Sequence, residues 1–257
     1  MPIAIVTGAS TGLGKEFAHL CANSGFDLVL IARNQDLLES LAIEIRRATS
    51  RRVRILVKDL SVPGSSREVF EELGPGADST EVLINNAGFG LLGPFVELDE
   101  QEQVQMIELN IVALTDLTRL ILPGMLARKK GKIMNVASTA AFQPGPLMAV
   151  YFATKAYVVS FSEALHNELK GTGVTVTTLC PGATKTEFDK RAGMSKAKLF
   201  TKSKLMSARQ VAEIGMRAMD KGKSLVVAGT LNSLMVASTR LAPRQMAASI
   251  AHRLMEP

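Results

Sequence analysis

The 257-residue chain has no tryptophan, only two tyrosines and only two cysteines. Cys21 and Cys180 stand far apart, each inside an apolar stretch. They read as buried free thiols, which fits a reducing compartment, and no disulfide or metal framework is implied. Two tyrosines, no tryptophan and no nucleic-acid motif also argue against nucleic-acid binding, although the net charge is +6. No leader is expected, because the apolar run from Ile3 leads straight into a glycine-rich turn and cleavage would remove the first strand. The longest uncharged stretch, Ser224 to Thr239, is broken by Gly229, Asn232 and several Ser/Thr. It is too short and too polar to span a bilayer, so integral insertion is not expected and a cytoplasmic location is.

What the chain has is a hydrophobic content of 47% and a regular alternation of short apolar runs with amphipathic segments. Residues 3–6, 28–31, 53–57, 82–84, 132–137, 174–180 and 225–228 have the length and apolar character of buried strands. Between them, helical spacing runs through Leu13, Phe17, Leu20 and Cys21, and through Leu37, Leu41 and Ile45. A long amphipathic helix is expected from about Asp99 to Arg128, another over Tyr151 to Lys170, and a third over Ala208 to Met219. Repeated βα units connected right-handedly give an α/β, doubly wound Rossmann fold with about seven parallel strands and helices on both faces. No composition break marks a second domain, so residues 1–257 are read as one domain.

Directly after the first strand comes Thr7-Gly8-Ala9-Ser10-Thr11-Gly12-Leu13-Gly14. Gly8 permits a tight turn, Gly12 lets backbone approach a pyrophosphate, and Gly14 allows close helix–strand packing. The helix opening there, with Ser10, Thr11 and Leu13, offers amide N–H groups to an anion. At the end of the second strand stand Arg33 and Asn34, where an acidic residue would hold the ribose hydroxyls of NAD. Arg33 suits the 2′-phosphate of NADP(H) instead, a contact worth roughly 1.5–3 kcal/mol. Asp36, two residues on, reads as a helix cap. Asp59 and Leu60 end the third strand where an adenine could lie, and Asn85-Asn86-Ala87-Gly88 end the fourth. All fall at strand carboxyl ends, where open α/β sheets bind ligands.

Tyr151 and Lys155 are four residues apart, one helical turn, so phenol and ammonium share a helix face. A free tyrosine titrates near pH 10, and a fixed cation nearby is expected to lower that value. Ser138 could then hold a substrate oxygen while Tyr151 exchanges its proton.

With these motifs in order, the chain resembles the short-chain dehydrogenase/reductase family of compact, single-domain type, over roughly residues 3–230. The resemblance implies that Tyr151 is the general acid/base, that Lys155 lowers its pKa and bonds the nicotinamide ribose, and that Ser138 orients the carbonyl. It adds Asn110 as a fourth catalytic residue that shapes a helix and helps hold a relay water; its plainer reading is a packing asparagine. Pro181, Gly182, Thr184 and Thr186 would cover the nicotinamide. One departure is Thr11, where NADP-preferring members often carry a basic residue, so preference for NADP(H) over NAD(H) rests on Arg33. The expected activity is reversible hydride transfer between NADP(H) and a carbonyl or secondary alcohol, with no metal. A silent NADP(H)-binding sensor is the alternative.

The resemblance also implies a lid after Pro181-Gly182, about residues 183–207. Between Lys185 and Lys204, six lysines and Arg191 stand against Glu187 and Asp189, so most of the chain's positive excess lies there. That charge could attract an acidic carrier of a 3-oxoacyl chain or could simply be solvated. A helical extension, about residues 230–257, mixes Leu231, Leu234, Met235 and Ile250 with Arg240, Arg244 and Arg253. Packing over the cleft, a subunit contact and peripheral membrane contact all remain open for it. Family members assemble as dimers or tetramers through the long flanking helices, and a homo-oligomer is expected.

Overall fold

Aliphatic runs in this chain become strands because both of their faces are covered by helices. A computed structural model describes residues 1–188, 192–194, 205–239 and 243–255. Its strands are β1 (Ile3–Thr7), β2 (Asp27–Ala32), β3 (Val53–Val57), β4 (Thr80–Asn85), β5 (Gly131–Val136), β6 (Val174–Cys180), the short β7 (Thr184–Lys185) and β8 (Met206–Ser207), and β9 (Leu225–Val227). Seven of them form one sheet in the order β3-β2-β1-β4-β5-β6-β9. Every neighbouring pair in it is parallel. The order reverses between β1 and β4, which makes the crevice beyond their carboxyl ends the natural ligand site. This is the doubly wound parallel sheet that the alternation predicts.

The helices are α1 (Gly12–Asn23), α2 (Gln35–Thr49), α3 (Ser65–Leu73), α4 (Glu100–Ile107), α5 (Leu114–Ala127), α6 (Ala149–Glu168), α7 (Ala208–Asp220), α8 (Thr230–Thr239) and α9 (Arg244–Met255). Side chains alternate across the sheet with period two. On one face Val6, Leu28, Leu30 and Met134 pack with Phe17 of α1, Leu38, Leu41 and Ile45 of α2, and Val211 and Met216 of α7. On the other, Ile5, Val29, Leu83 and Ile133 pack with Val69 of α3 and Leu117, Ile121 and Met125 of α5.

Two local expectations are corrected. The helix anticipated from Asp99 to Arg128 is not uniform: a π-helical segment, Glu108–Ala113, separates α4 from α5. A wider turn inserts one residue per turn and re-aims the side chains after it, which a search for 3.6-residue periodicity passes over. Taken together, Glu100–Ala127 is long and apolar enough to cross a membrane by length and composition, yet its Leu117, Ile121 and Met125 are buried on the sheet. The second correction concerns the start of α2. Its cap is Asn34, whose side chain accepts from the Leu37 amide at 2.9 Å, while Asp36 sits in the first turn.

Candidate active site

The glycine turn between β1 and α1 is built for an anion. Gly8 and Gly12 have φ of +63° and +55°, a region that side chains other than glycine adopt at a cost. A Cβ on Gly14 would lie 2.1 Å from the Gly8 carbonyl oxygen. The helix that follows starts at Thr11 with no side-chain cap and no acidic residue in its first turn. Its first amides therefore point at the crevice with the positive end of the helix dipole behind them. These residues fit a dinucleotide pyrophosphate.

Asn86 fastens that turn. Its side-chain amide donates to the carbonyls of Thr7 (2.9 Å) and Gly8 (3.2 Å). In return the Thr7 hydroxyl accepts from the backbone amides of Asn86 and Ala87, both at 3.0 Å. Thr7 escaped the sequence reading; a buried hydroxyl closing an otherwise aliphatic strand was the signal. Gly88 is needed on the same loop, since a Cβ there would meet the Asn110 Oδ1 at 2.9 Å and the Lys155 Nζ at 3.4 Å.

Beyond β2, Arg33 is exposed and its Nη1 lies 3.4 Å from Asp59 Oδ2. Burial pushes the Asp59 carboxyl up, but hydrogen bonds from Ser61 and the Arg33 charge outweigh it and hold it below the ordinary carboxylate range. Arg33 thus stands in solvent with a weak partner, ready for a second anion. The side chain of Leu60, on the segment expected beside an adenine, is buried with Ile31 and Leu56.

Ser138 follows β5 and opens a short turn, its hydroxyl accepting from the Ala140 amide at 3.1 Å. Tyr151 and Lys155 are 8% and 6% exposed, so the sequence pair is a buried one. Lys155 Nζ donates to the Val136 carbonyl at 3.0 Å and lies 5.7 Å from the Tyr151 ring centre. Burial pushes the Tyr151 phenol up to about 12, opposed by a hydrogen bond with Ser138. The Lys155 ammonium is pushed down to about 8, again by burial. Burial thus acts against the lowering expected from the Lys155 cation.

Asn110 lies in the π-helical segment and is buried. Its side chain accepts from the Phe89 amide (3.2 Å), and donates to the Phe89 carbonyl (3.0 Å) and to Thr154 Oγ1 (3.1 Å). The Thr154 hydroxyl in turn donates to the Tyr151 carbonyl at 2.7 Å. Asn110 therefore joins the loop after β4 to the Tyr151 helix through Thr154, a residue the sequence reading missed. Thr154 sits between Tyr151 and Lys155, and its polarity on a buried helix face was the available signal.

The segment after β6 closes over the crevice. The Thr139 amide donates to the Pro181 carbonyl at 2.8 Å. The Thr184 hydroxyl donates to the Gly182 carbonyl at 2.9 Å. Thr186 reaches the glycine turn: a Cβ on Gly12 would lie 3.2 Å from its own Cβ. A Cβ on Gly182 would collide with the Asn232 amide of α8 at 2.5 Å. Of the basic lid, Lys185 is on β7, while Lys190, Arg191, Lys196, Lys198, Lys202 and Lys204 lie outside the described residues.

The substrate side of Tyr151 is apolar. Tyr151 clusters with Met106, Met148, Phe152, Ala192, Met194 and, from α9, Ala251 and Met255. The Phe188 ring tilts against it at 5.5 Å. A cavity of about 30 Å³ opens beside Tyr151, lined by Leu91, Phe95, Leu98, Gln103, Met106 and Leu147 among others. Ligand pockets usually run to about 300 Å³ or more, so a substrate must displace side chains here. Gln103 spends its amide nitrogen on the Phe95 and Leu98 carbonyls, and its buried oxygen has no partner among the described residues. A larger hollow, about 390 Å³, includes Lys130 and Lys132, whose charges are paired with Glu81 and Asp220, and none of the residues above.

The geometry has counterparts. Residues 2–197 match the model of the family described as short chain dehydrogenase. A very-long-chain 3-oxoacyl-CoA reductase of Anas platyrhynchos is 32% identical over 225 residues, covering 85% of this chain and 70% of that one. The Rattus norvegicus protein of the same description is 32% identical over 243 residues, covering 90% and 75%. Among solved structures, a short-chain dehydrogenase from Sphingobium yanoikuyae in complex with NADPH superposes with a TM-score of 0.83 at 32% identity, covering 94% and 95%. A bulky-bulky ketone specific alcohol dehydrogenase from Comamonas testosteroni does so with 0.79 at 29%, covering 94% and 93%.

Proposed function

The chain belongs to the short-chain dehydrogenase family, and from that premise we propose that it reduces the ketone of a long 3-oxoacyl thioester with NADPH. It is an oxidoreductase of the carbonyl/secondary-alcohol class that uses NADP(H). The observation that carries the substrate reading is the methionine-rich wall that clusters with Tyr151, formed by Met106, Met148, Met194 and Met255. Methionine's flexible thioether suits a long, conformationally variable apolar chain.

In this reading the α1 amides and Arg33 would hold the cofactor's phosphates, Pro181, Gly182 and Thr186 would hold its nicotinamide, and Lys155 would bond its ribose. The cofactor supplies the hydride. Ser138 holds the ketone oxygen, and Tyr151, still protonated at neutral pH, donates its proton to that oxygen as negative charge develops there. Lys155 stays charged below about pH 8 and stabilises the phenolate left behind. Phe188 and Met194 exclude water. The silent-sensor alternative has no supporting observation, since Ser138, Tyr151 and Lys155 are all in place.

The enzyme works in the cytoplasm as a homodimer or homotetramer. Support for an oligomer comes from exposed Val104 and Ile107 on α4, Val112 on the π segment, and Tyr157 stacked on Phe161 at 5.8 Å on α6. A panel of 3-oxoacyl-CoA esters of rising chain length, with bulky ketones and short aldehydes, tests the reading by NADPH oxidation. The expected result is a kcat/KM that rises with acyl length. A preference for short aldehydes would overturn it.

A further inference from the structure

The outward faces of α8 and α9 carry exposed apolar side chains. On α8, Leu231 and Leu234 are 70% and 68% exposed and Met235 is exposed beside them. On α9, Met246 and Ile250, one turn apart, are 55% and 52% exposed. Side chains three or four apart share a helix face, so each helix carries a stripe rather than scattered residues.

Charge around these stripes has one sign. Neither α8 nor α9 contains an aspartate or glutamate. Arg244 and Arg253 are both exposed on α9. Acid-free, basic, and apolar on one side is the pattern that lies down on an anionic lipid surface, apolar stripe into the acyl boundary and cations among the headgroups.

The opposite face of α9 is part of the site. Ala247, Ala251 and Met255 are buried, and Ala251 and Met255 join the cluster that contains Tyr151. One helix therefore has its inner face on the reaction chamber and its outer face apolar and basic.

We propose that α8 and α9 dock this enzyme on the surface of an anionic bilayer, so that the apolar tail of the substrate passes from lipid to Tyr151 without crossing water. The proposal rests on the long-chain reading above, and it names the partner through which that site is supplied. Docking is peripheral, through helix faces, and leaves the sheet and the cofactor crevice in the cytoplasm.

The test is sedimentation of the full-length protein with phosphatidylcholine vesicles, with and without phosphatidylserine. Beside the wild type run two paired variants, Met246→Asp with Ile250→Asp on α9, and Leu231→Ser with Leu234→Ser on α8. The wild type is expected to pellet with the serine-containing vesicles and to be released by salt. Each paired variant should weaken that partition by at least about tenfold, because two apolar side chains no longer enter the lipid. Turnover of a short, water-soluble 3-oxoacyl thioester by each variant should equal the wild type. That comparison keeps the catalytic reading separate: loss of vesicle binding with turnover intact supports docking. A wild type that stays in the supernatant with both vesicle types overturns the proposal. So does light scattering in which either paired variant lowers the oligomeric state, since the stripes would then face a second copy.

Discussion

Two pairs of charged or ionisable side chains occupy the two ends of one crevice, and they live in opposite dielectric surroundings. Arg33 and Asp59 pair at the solvent edge at 3.4 Å, and Asp59 also accepts from Ser61. Tyr151 and Lys155 are almost wholly buried, and burial pushes the phenol up to about 12 and the ammonium down to about 8. The first arrangement can exchange one anion for another cheaply, which is what binding and releasing a phosphate requires. The second makes every proton transfer strongly sensitive to its neighbours, which is what chemistry requires. Recognition is wet and acid–base work is dry.

The largest effect that sharpens this contrast is expected at the dry end. Tyr151→Phe should lower kcat by about 10²–10⁴ while leaving NADPH affinity unchanged, measured by turnover and by cofactor fluorescence titration. At the wet end, Arg33→Ser should cost about ten- to a hundredfold in kcat/KM with NADPH and little with NADH. Thr154→Val removes the hydroxyl that joins Asn110 to the Tyr151 carbonyl, and is expected to cost about 1–3 kcal/mol of stability by denaturant unfolding. Thr154→Ser should restore it.

A pH series separates activity from stability. As pH rises above about 8, Lys155 loses its charge and kcat/KM should fall by about tenfold per unit. Stability should move the other way. Because the folded-state value lies below the ordinary lysine value of 10.5, the unfolded chain binds more protons between those limits. This group's contribution to stability therefore increases with pH across that window. The smallest effect is expected for Asp59→Asn, under about 1 kcal/mol in stability, as suits an exposed ion pair.

The wet end was the more legible in sequence. A glycine turn after an aliphatic run, and a basic residue at the end of the next, are local patterns, and local patterns survive translation into structure. The seven parallel strands followed for the same reason. What escaped is non-local. Thr7 bonds a loop nearly eighty residues away, and Thr154 matters only because the π-helical segment turns Asn110 toward it. Neither the wider turn nor the pairing leaves a periodic trace. The Tyr–Lys spacing carried over to the structure, but the burial of both side chains, which pushes the phenol up, is something no four-residue spacing reports. The burial of the Leu60 side chain with Ile31 and Leu56 is likewise not readable from its place at a strand end. The roof over Tyr151 came from Met194 and Met255, whose sequence positions carry no hint that they meet.

The most direct test of the contrast is one steady-state matrix: wild type, Tyr151→Phe and Arg33→Ser, each with NADPH and with NADH, on a 3-oxoacyl-CoA substrate. The account predicts a clean split. Tyr151→Phe should lose kcat with both cofactors and keep both KM values, whereas Arg33→Ser should raise KM for NADPH alone and keep kcat. If the two substitutions changed the same parameter, or Arg33→Ser left the NADPH KM where it was, the division into a wet recognition end and a dry catalytic end would be wrong.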